Sequence, residues 1–473
     1  MTQLPAPGDT VGVDSTVSVV FGADPDPATL SEAGFTVSDF AGTLPGVLDY
    51  DAGTRTWTWT PTRQLPRGAM LTARIGRAVG TIDGAVVADG FAWSFRVRAG
   101  EPGTTATIAT NVPWNGSDPV LAAFLRDGRP LVAIGQLAWT VGQGGPDPAE
   151  PLLGGRARGL CVDAAGNAVA LMSDSVGAHA ALQAVRRQEA GNWSQPEWIA
   201  DTGSATLLDY GGFLGNDAGH LLVHQRVQAA SLVVDRAFWC APSGAAPGTW
   251  QALPLPDSRL AYELRAGLDG FGRVVTLHSD GTYVIVQQQE PGLLGVRENV
   301  LAQVPGTRIA GLGVDDGGTI RAVWTEIGQV TRQRRSVSGL AFGPETTQPI
   351  VVPSNVRTLT APTGAMRAWR DRDVYRSEGA SDVWVAGELE QLPVALALSP
   401  RGEAAMLIFE LPDVWSLVRW QPNEGLTAPI QIAAVPSPVS APRDGGLAFD
   451  AVGRVYVAFR PDSSGELYGV LVE

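Results

Sequence analysis

Few side chains in this sequence are spaced to do chemistry together. Of the four histidines only His220 and His224 lie close in the chain. Four residues apart on a helix they could share a zinc ion. On a strand, at ~3.3 Å per residue, they stand about 13 Å apart, too far for one ion whose bonds are roughly 2 Å long. The run Gly219-His220-Leu221-Leu222-Val223-His224 reads as a strand and no third ligand is spaced nearby, so no metal is assigned. Cys161 and Cys240 are the only cysteines. They belong to no C-x-x-C motif and read as separate thiols on different repeat units. Arg367, Arg370, Arg372 and Arg376 gather with Asp371, Asp373, Glu378 and Asp382 around Tyr375. Arginines that grip a carboxylate beside a tyrosine nucleophile and two acids could open a glycosidic bond. Four arginines on one loop cannot converge in that way, so the segment reads as a solvated loop that neutralises itself. No G-x-S-x-G elbow supports a serine nucleophile, and no cofactor is implied.

Composition narrows the field further. The chain has 473 residues, 48 of them acidic and 34 basic, for a net charge of −14. Every basic residue is arginine. A phosphate-backbone binder needs a basic face, so nucleic acid is not expected as a partner. Without lysine, Schiff-base chemistry and a P-loop lysine are excluded. Apolar residues make up 44%, enough for a sizeable core. No apolar run approaches the ~18 residues of a membrane span. Met1 to Pro5 shows neither a basic nor an apolar leader segment, so no signal peptide is read.

The elements that must position any site are strands. From residue 1 to 99, apolar alternation marks Val17 to Phe21, Phe35 to Val37, Thr56 to Thr60, Met70 to Ile75 and Phe91 to Val97. This period-two pattern predicts an antiparallel sandwich. Val19-Val20-Phe21, Asp26-Pro27-Ala28-Thr29-Leu30, Thr58-Trp59-Thr60-Pro61 and Leu65-Pro66-Arg67-Gly68 carry a resemblance to bacterial Ig-like domains of S-layer and cell-surface proteins. The resemblance implies a stalk or docking module. Residues 100–103 read as a linker.

Residues 104–473 repeat. Glycines 128, 166, 219, 272, 318, 364, 402 and 453 recur 38 to 53 residues apart, with a mean near 46, the range of propeller blades. Each follows an apolar strand and opens another, and several sit in a D/N-x-x-G turn. An Asp or Asn there caps backbone N–H groups two or three residues on, while glycine takes positive φ cheaply. With Gly191-Asn192-Trp193-Ser194-Gln195-Pro196-Glu197-Trp198 and Ala322-Val323-Trp324, the repeat resembles that of sialidase-type and lectin-type propellers. Ser279-Asp280-Gly281-Thr282-Tyr283 is similar to a truncated Asp-box but reads as a hairpin turn. The count is eight blades, or seven if the Gly364 unit is an insertion. The last unit offers three strands, and residues 105–110 are available as its fourth, which would remove an exposed edge.

The reading is therefore all-β: an Ig-like sandwich followed by a propeller. Binding residues are expected on loops between second and third strands around the central opening: Asp174, His278, Asp280, Glu326, Arg370, Arg372, Asp413 and Asp462. Their mixed charges suit a polar glycan or surface polymer better than a polyanion. The expected role is non-enzymatic, a display or binding head on a virion or bacterial surface that docks to protein through the Ig-like module. A sialidase-like or lyase-type glycan-active enzyme is the alternative.

Overall fold

The computed structural model describes residues 2–472 apart from 32–33, 40–41, 66–68, 77–78, 84–89, 99–102, 104, 114–117, 143–144, 164, 177–178, 188–191, 202–205, 217, 230–231, 243–247, 256–262, 291–294, 327–329, 354–356, 362–365, 371, 378–383, 390, 400–401, 411–413, 422–424, 435–443, 452 and 462–464. Among the described residues the regular structure is strand, save one 3-10 turn at Pro27–Thr29.

The first hundred residues form two sheets. One runs Thr2–Leu4, Val17–Val20, Thr56–Pro61, Gly46–Asp51; the other runs Thr10–Val11, Phe91–Val97, Met70–Ile75, Phe35–Asp39, Gly42–Thr43. Alternate residues of both sheets face one core: Val17, Val19, Trp57, Trp59, Leu71, Ala73, Trp93 and Phe95 are all buried in a single cluster. The pairing departs from a purely antiparallel sandwich at one place, where Thr10–Val11 lies parallel to Arg96–Val97.

The remainder folds into eight further sheets among the described residues. Their first strands are Leu121–Phe124, Arg156–Val162, Thr206–Gly215, Glu263–Leu268, Arg308–Val314, Arg357–Thr360, Pro393–Leu398 and Asp444–Phe449. Each first strand touches the next, and the eighth touches the first, so the sheets close into a propeller-like ring. Every one of the eight seams holds its own buried apolar cluster. Apolar side chains on both faces of each sheet make this possible, because every inner sheet has a neighbour on either side. The Gly364 unit is a complete sheet, with Met366–Arg370, Asp373–Ser377 and Trp384–Glu388 behind Arg357–Thr360, so the count is eight rather than seven. In the eighth sheet, Ala106–Ala109 pairs antiparallel with Leu467–Val472, Thr107 opposite Tyr468. Ile108 is buried there beside Val132, Trp139 and Tyr456.

The turns after the first strands explain the glycine spacing. Gly128, Gly166, Gly219, Gly272, Gly318, Gly402 and Gly453 all have φ between +79° and +89°, where a side chain is strained; Gly364 lies outside the described residues. The capping side chains reach further than the sequence pattern predicts. Asp163, Asn216, Asp269, Asp315 and Asp450 each accept from the backbone N–H four residues on. In the copy without an acid, the Ser399 hydroxyl accepts the Glu403 N–H at 3.0 Å.

Candidate functional site

The first strands run in one direction around the ring, so the ring has two unlike ends. The glycine turns lie at the end of each first strand, here called the turn face. The hairpins between second and third strands return to the opposite end, the start face.

The predicted binding residues fall on the start face in uneven ways. Asp280 sits in the hairpin turn and accepts from the N–H groups of Thr282 and Tyr283 at 2.8 and 2.7 Å. Glu326 ends the strand Ile320–Glu326 and meets Arg332 at 3.4 Å. Arg370 ends Met366–Arg370 and Arg372 follows in the turn, both exposed. Asp174 and His278 depart from the loop placement. Asp174 lies within Ala168–Val176, a strand longer than the pattern showed, and is half-buried. His278 lies within Val274–Ser279, buried, opposite Leu264 and Ile285. Burial holds its imidazole below the ordinary range, against the opposing fields of Glu298 and Asp280. Asp413 and Asp462 lie outside the described residues. The opening itself is lined by first strands. The hairpins stand one or two strands further out, at ~4.8 Å per strand, so the six described positions do not ring the axis as the sequence reading expected.

At the axis on the start face the structure gathers a cluster that the sequence reading missed. Asp118, fully buried ahead of sheet one, is paired with Arg156 and lies 3.7 Å from Arg158, both of sheet two. Arg158 Nε also donates to Ser173 at 2.9 Å. Asp444 opens sheet eight and accepts the Gly445 N–H at 2.9 Å. Burial raises its carboxyl to about 6; the backbone donors Gly445 and Val120 and the charge of Arg460 pull the other way, and Asp118 adds to the rise. Groups from sheets eight, one and two thus meet at one rim. Arg156-Ala157-Arg158 was the available signal, two arginines two residues apart at the head of an apolar strand.

Other conspicuous residues hold the ring together. Arg367 and Arg376, which the sequence places on a solvated loop, are buried on strands. Arg367 donates to the Gly402 carbonyl of the next sheet, and Arg376 lies over the Trp420 ring at 5.3 Å. Arg419 repeats the device toward the Gly453 carbonyl at 3.3 Å. Tryptophans on or just ahead of the outer strands donate backwards to the preceding sheet: Trp193 to Glu150, Trp250 to Glu197 and Trp384 to Gln333. Trp198 differs and is 58% exposed; Trp114 lies outside the described residues. His220 bonds Asn216 and packs at a tilt against Trp239, while His224 Nε2 meets Asp235 at 3.0 Å. Burial opposes ionisation of Asp235, but hydrogen bonds from His224 and Arg226 leave its carboxyl below the usual range. No group of three or more metal-capable side chains occurs among the described residues. Cys161 and Cys240 are free thiols, both pushed up by burial.

These observations define an all-β protein built on propeller-like four-stranded sheets. No family model matches the sequence, and no curated protein does. Solved structures with a similar arrangement share little sequence. The chain is 8% identical to Sqt1 of Saccharomyces cerevisiae, covering 79% of this chain and 99% of that one, with a TM-score of 0.49. It is 14% identical to the Aleuria aurantia lectin in complex with Fucα1-6GlcNAc, covering 59% and 96%, TM-score 0.34. It is 15% identical to puromycin hydrolase, covering 65% and 50%, TM-score 0.39.

Proposed function

We propose that the protein is a non-enzymatic binding and display head. Residues 1–99 serve as an Ig-like stalk that docks to protein, 100–103 as a linker, and 104–473 as a sialidase- or lectin-type propeller carried on a virion or bacterial surface. Its ligand is a polar glycan or surface polymer held on the start face by Asp280, Glu326, Arg370 and Arg372, with Asp174 behind them. One observation carries this reading: a ring whose seams are filled and cross-bonded presents charged hairpins of both signs on a single face, with Arg370, Arg372 and Asp373 exposed and Asp280 and Glu326 half-buried. Rigid scaffolds with variable polar loops are suited to recognition, and mixed charges favour hydroxyl-rich ligands over polyanions. The test is a glycan and surface-polymer binding panel on the full chain beside Arg370→Ala/Arg372→Ala. Binding that the double variant loses supports the reading. Turnover of a panel member, abolished by a start-face substitution, overturns it.

One observation favours a glycan-active enzyme instead. Asp444, raised to about 6 by burial, is poised as a proton donor near neutral pH, paired across its hairpin with Arg460 and within the field of Asp118. Turnover that Asp444→Asn abolishes, with the fold intact, would establish this second reading.

A further inference from the structure

The opposite end of the axis holds a cavity that neither reading uses. It measures about 350 Å³ and is shared by sheets three to six. First strands supply most of its wall, with Leu214, Leu268, Leu312, Val314 and Leu359 providing much of the apolar surface. Glycine keeps the strands close and the space clear: a Cβ at Gly267 would meet Val314 Cγ2 at 2.7 Å. The cavity opens on the turn face, where Asp316 and Gly215 are exposed.

Three features select a ligand. The volume lies at the small end of the ~300–1,000 Å³ range of small-molecule pockets. Water confined against so much apolar wall is poorly hydrogen-bonded, and an apolar body displaces it favourably. The charged groups in the wall, Arg265 and Asp316, oppose each other, so a net charge of either sign gains at one and loses at the other. The remaining polar groups are short or already oriented. Thr360 donates to the Leu312 carbonyl at 3.1 Å, Asn216 donates to the Asp269 carbonyl at 2.7 Å, and His224 is fixed by Asp235.

We propose that this axial cavity binds a small, net-neutral amphipathic molecule, with an alicyclic or branched apolar body inside and one hydroxyl or amide end toward Asn216 and Thr360. The site is independent of the start face, so binding there can fail or succeed whatever the start face recognises.

The probe is N-phenyl-1-naphthylamine, a neutral fluorophore, titrated into the full chain and displaced with cyclohexanol. Saturable one-to-one fluorescence that cyclohexanol reverses and acetate does not is the expected result. Leu359→Trp fills the cavity and should weaken probe binding at least tenfold, while Arg370→Ala/Arg372→Ala leaves it unchanged. Because a large residue on a first strand can disturb folding, the smaller Leu359→Cys, made with Cys161→Ser and Cys240→Ser, gives a second readout. Cyclohexanol should slow alkylation of the introduced thiol severalfold. Absent probe binding, equal binding by a folded Leu359→Trp variant, or an alkylation rate indifferent to cyclohexanol would each overturn the proposal.

Discussion

Replacing Glu197 with glutamine should loosen the ring far more than its modest chemistry implies. Glu197 is 6% exposed. One oxygen accepts from Arg186 Nε at 2.7 Å; the other accepts from the Gly248 N–H at 3.0 Å and the Trp250 indole at 3.3 Å, at the start of the outer strand of sheet three. All three partners are donors, and only a carboxylate accepts at both ends. In Glu197→Gln the amide NH₂ must face a donor, and the buried Arg186 loses its countercharge. Breaking a buried pair from one side costs about 3–5 kcal/mol. A ring of roughly 370 residues unfolds with about 2.1 cal/mol/K per residue, so a loss of ~4 kcal/mol lowers Tm by about 5 °C if it melts as one unit. Calorimetry on the variant beside the wild type, at one scan rate, reads this directly. Replacing both partners, Arg186→Met with Glu197→Met, should recover most of the loss, because no charge is then left unpaired. A glutamine variant melting within 1 °C of wild type, or a double variant worse than the single, would refute the reasoning.

Three further outcomes follow from the same structure. Asp444 titrates near 6 in the ring and near ~3.9 unfolded, so its neutral form is the one the fold favours. Stability from this group is complete below about pH 4 and is lost as pH rises through about 6, a total of roughly 3 kcal/mol; Asp444→Asn should therefore raise the melting temperature at pH 8 and leave it nearly unchanged at pH 4, as a pH series of thermal melts will show. Gly272→Ala places a Cβ against the His220 ring at φ +83° and should cost at least ~1 kcal/mol, measured by urea unfolding, whereas alanine at Gly22, where a Cβ meets nothing, should not destabilise comparably. Trp198→Ser, on the exposed outer strand, should shift stability by no more than ~0.5 kcal/mol in the same assay.

The architecture was legible because its signals are local. A glycine at φ near +80° leaves its mark on each of the seven described turns, and alternating Trp57, Trp59, Trp93 and Phe95 announce an inward face without reference to anything distant. The site was less legible because its geometry is set between sheets. His278 reads as a loop residue, since nothing in Leu277-His278-Ser279-Asp280 says that the strand runs on to Ser279. Arg367 and Arg376 sit among acids in sequence, yet their partners, the Gly402 carbonyl and the Trp420 ring, belong to the following sheet. Asp118 and Arg156 are 38 residues apart and meet only because adjacent first strands begin at the same rim. The axial cavity has no sequence signal beyond small residues near the ends of first strands.

The closed ring underlies every placement above, and its closure can be tested at one pair of positions. In a Cys161→Ser, Cys240→Ser background, Thr107→Cys with Tyr468→Cys puts two thiols at directly opposed positions of the pairing between Ala106–Ala109 and Leu467–Val472. Mild oxidation or a short bismaleimide should join them within the monomer, giving a faster-migrating species on denaturing gels, while Thr107→Cys with Tyr283→Cys, on sheet four, should not join. Efficient linkage in the control pair, or none in the opposed pair under either reagent, would contradict the ring.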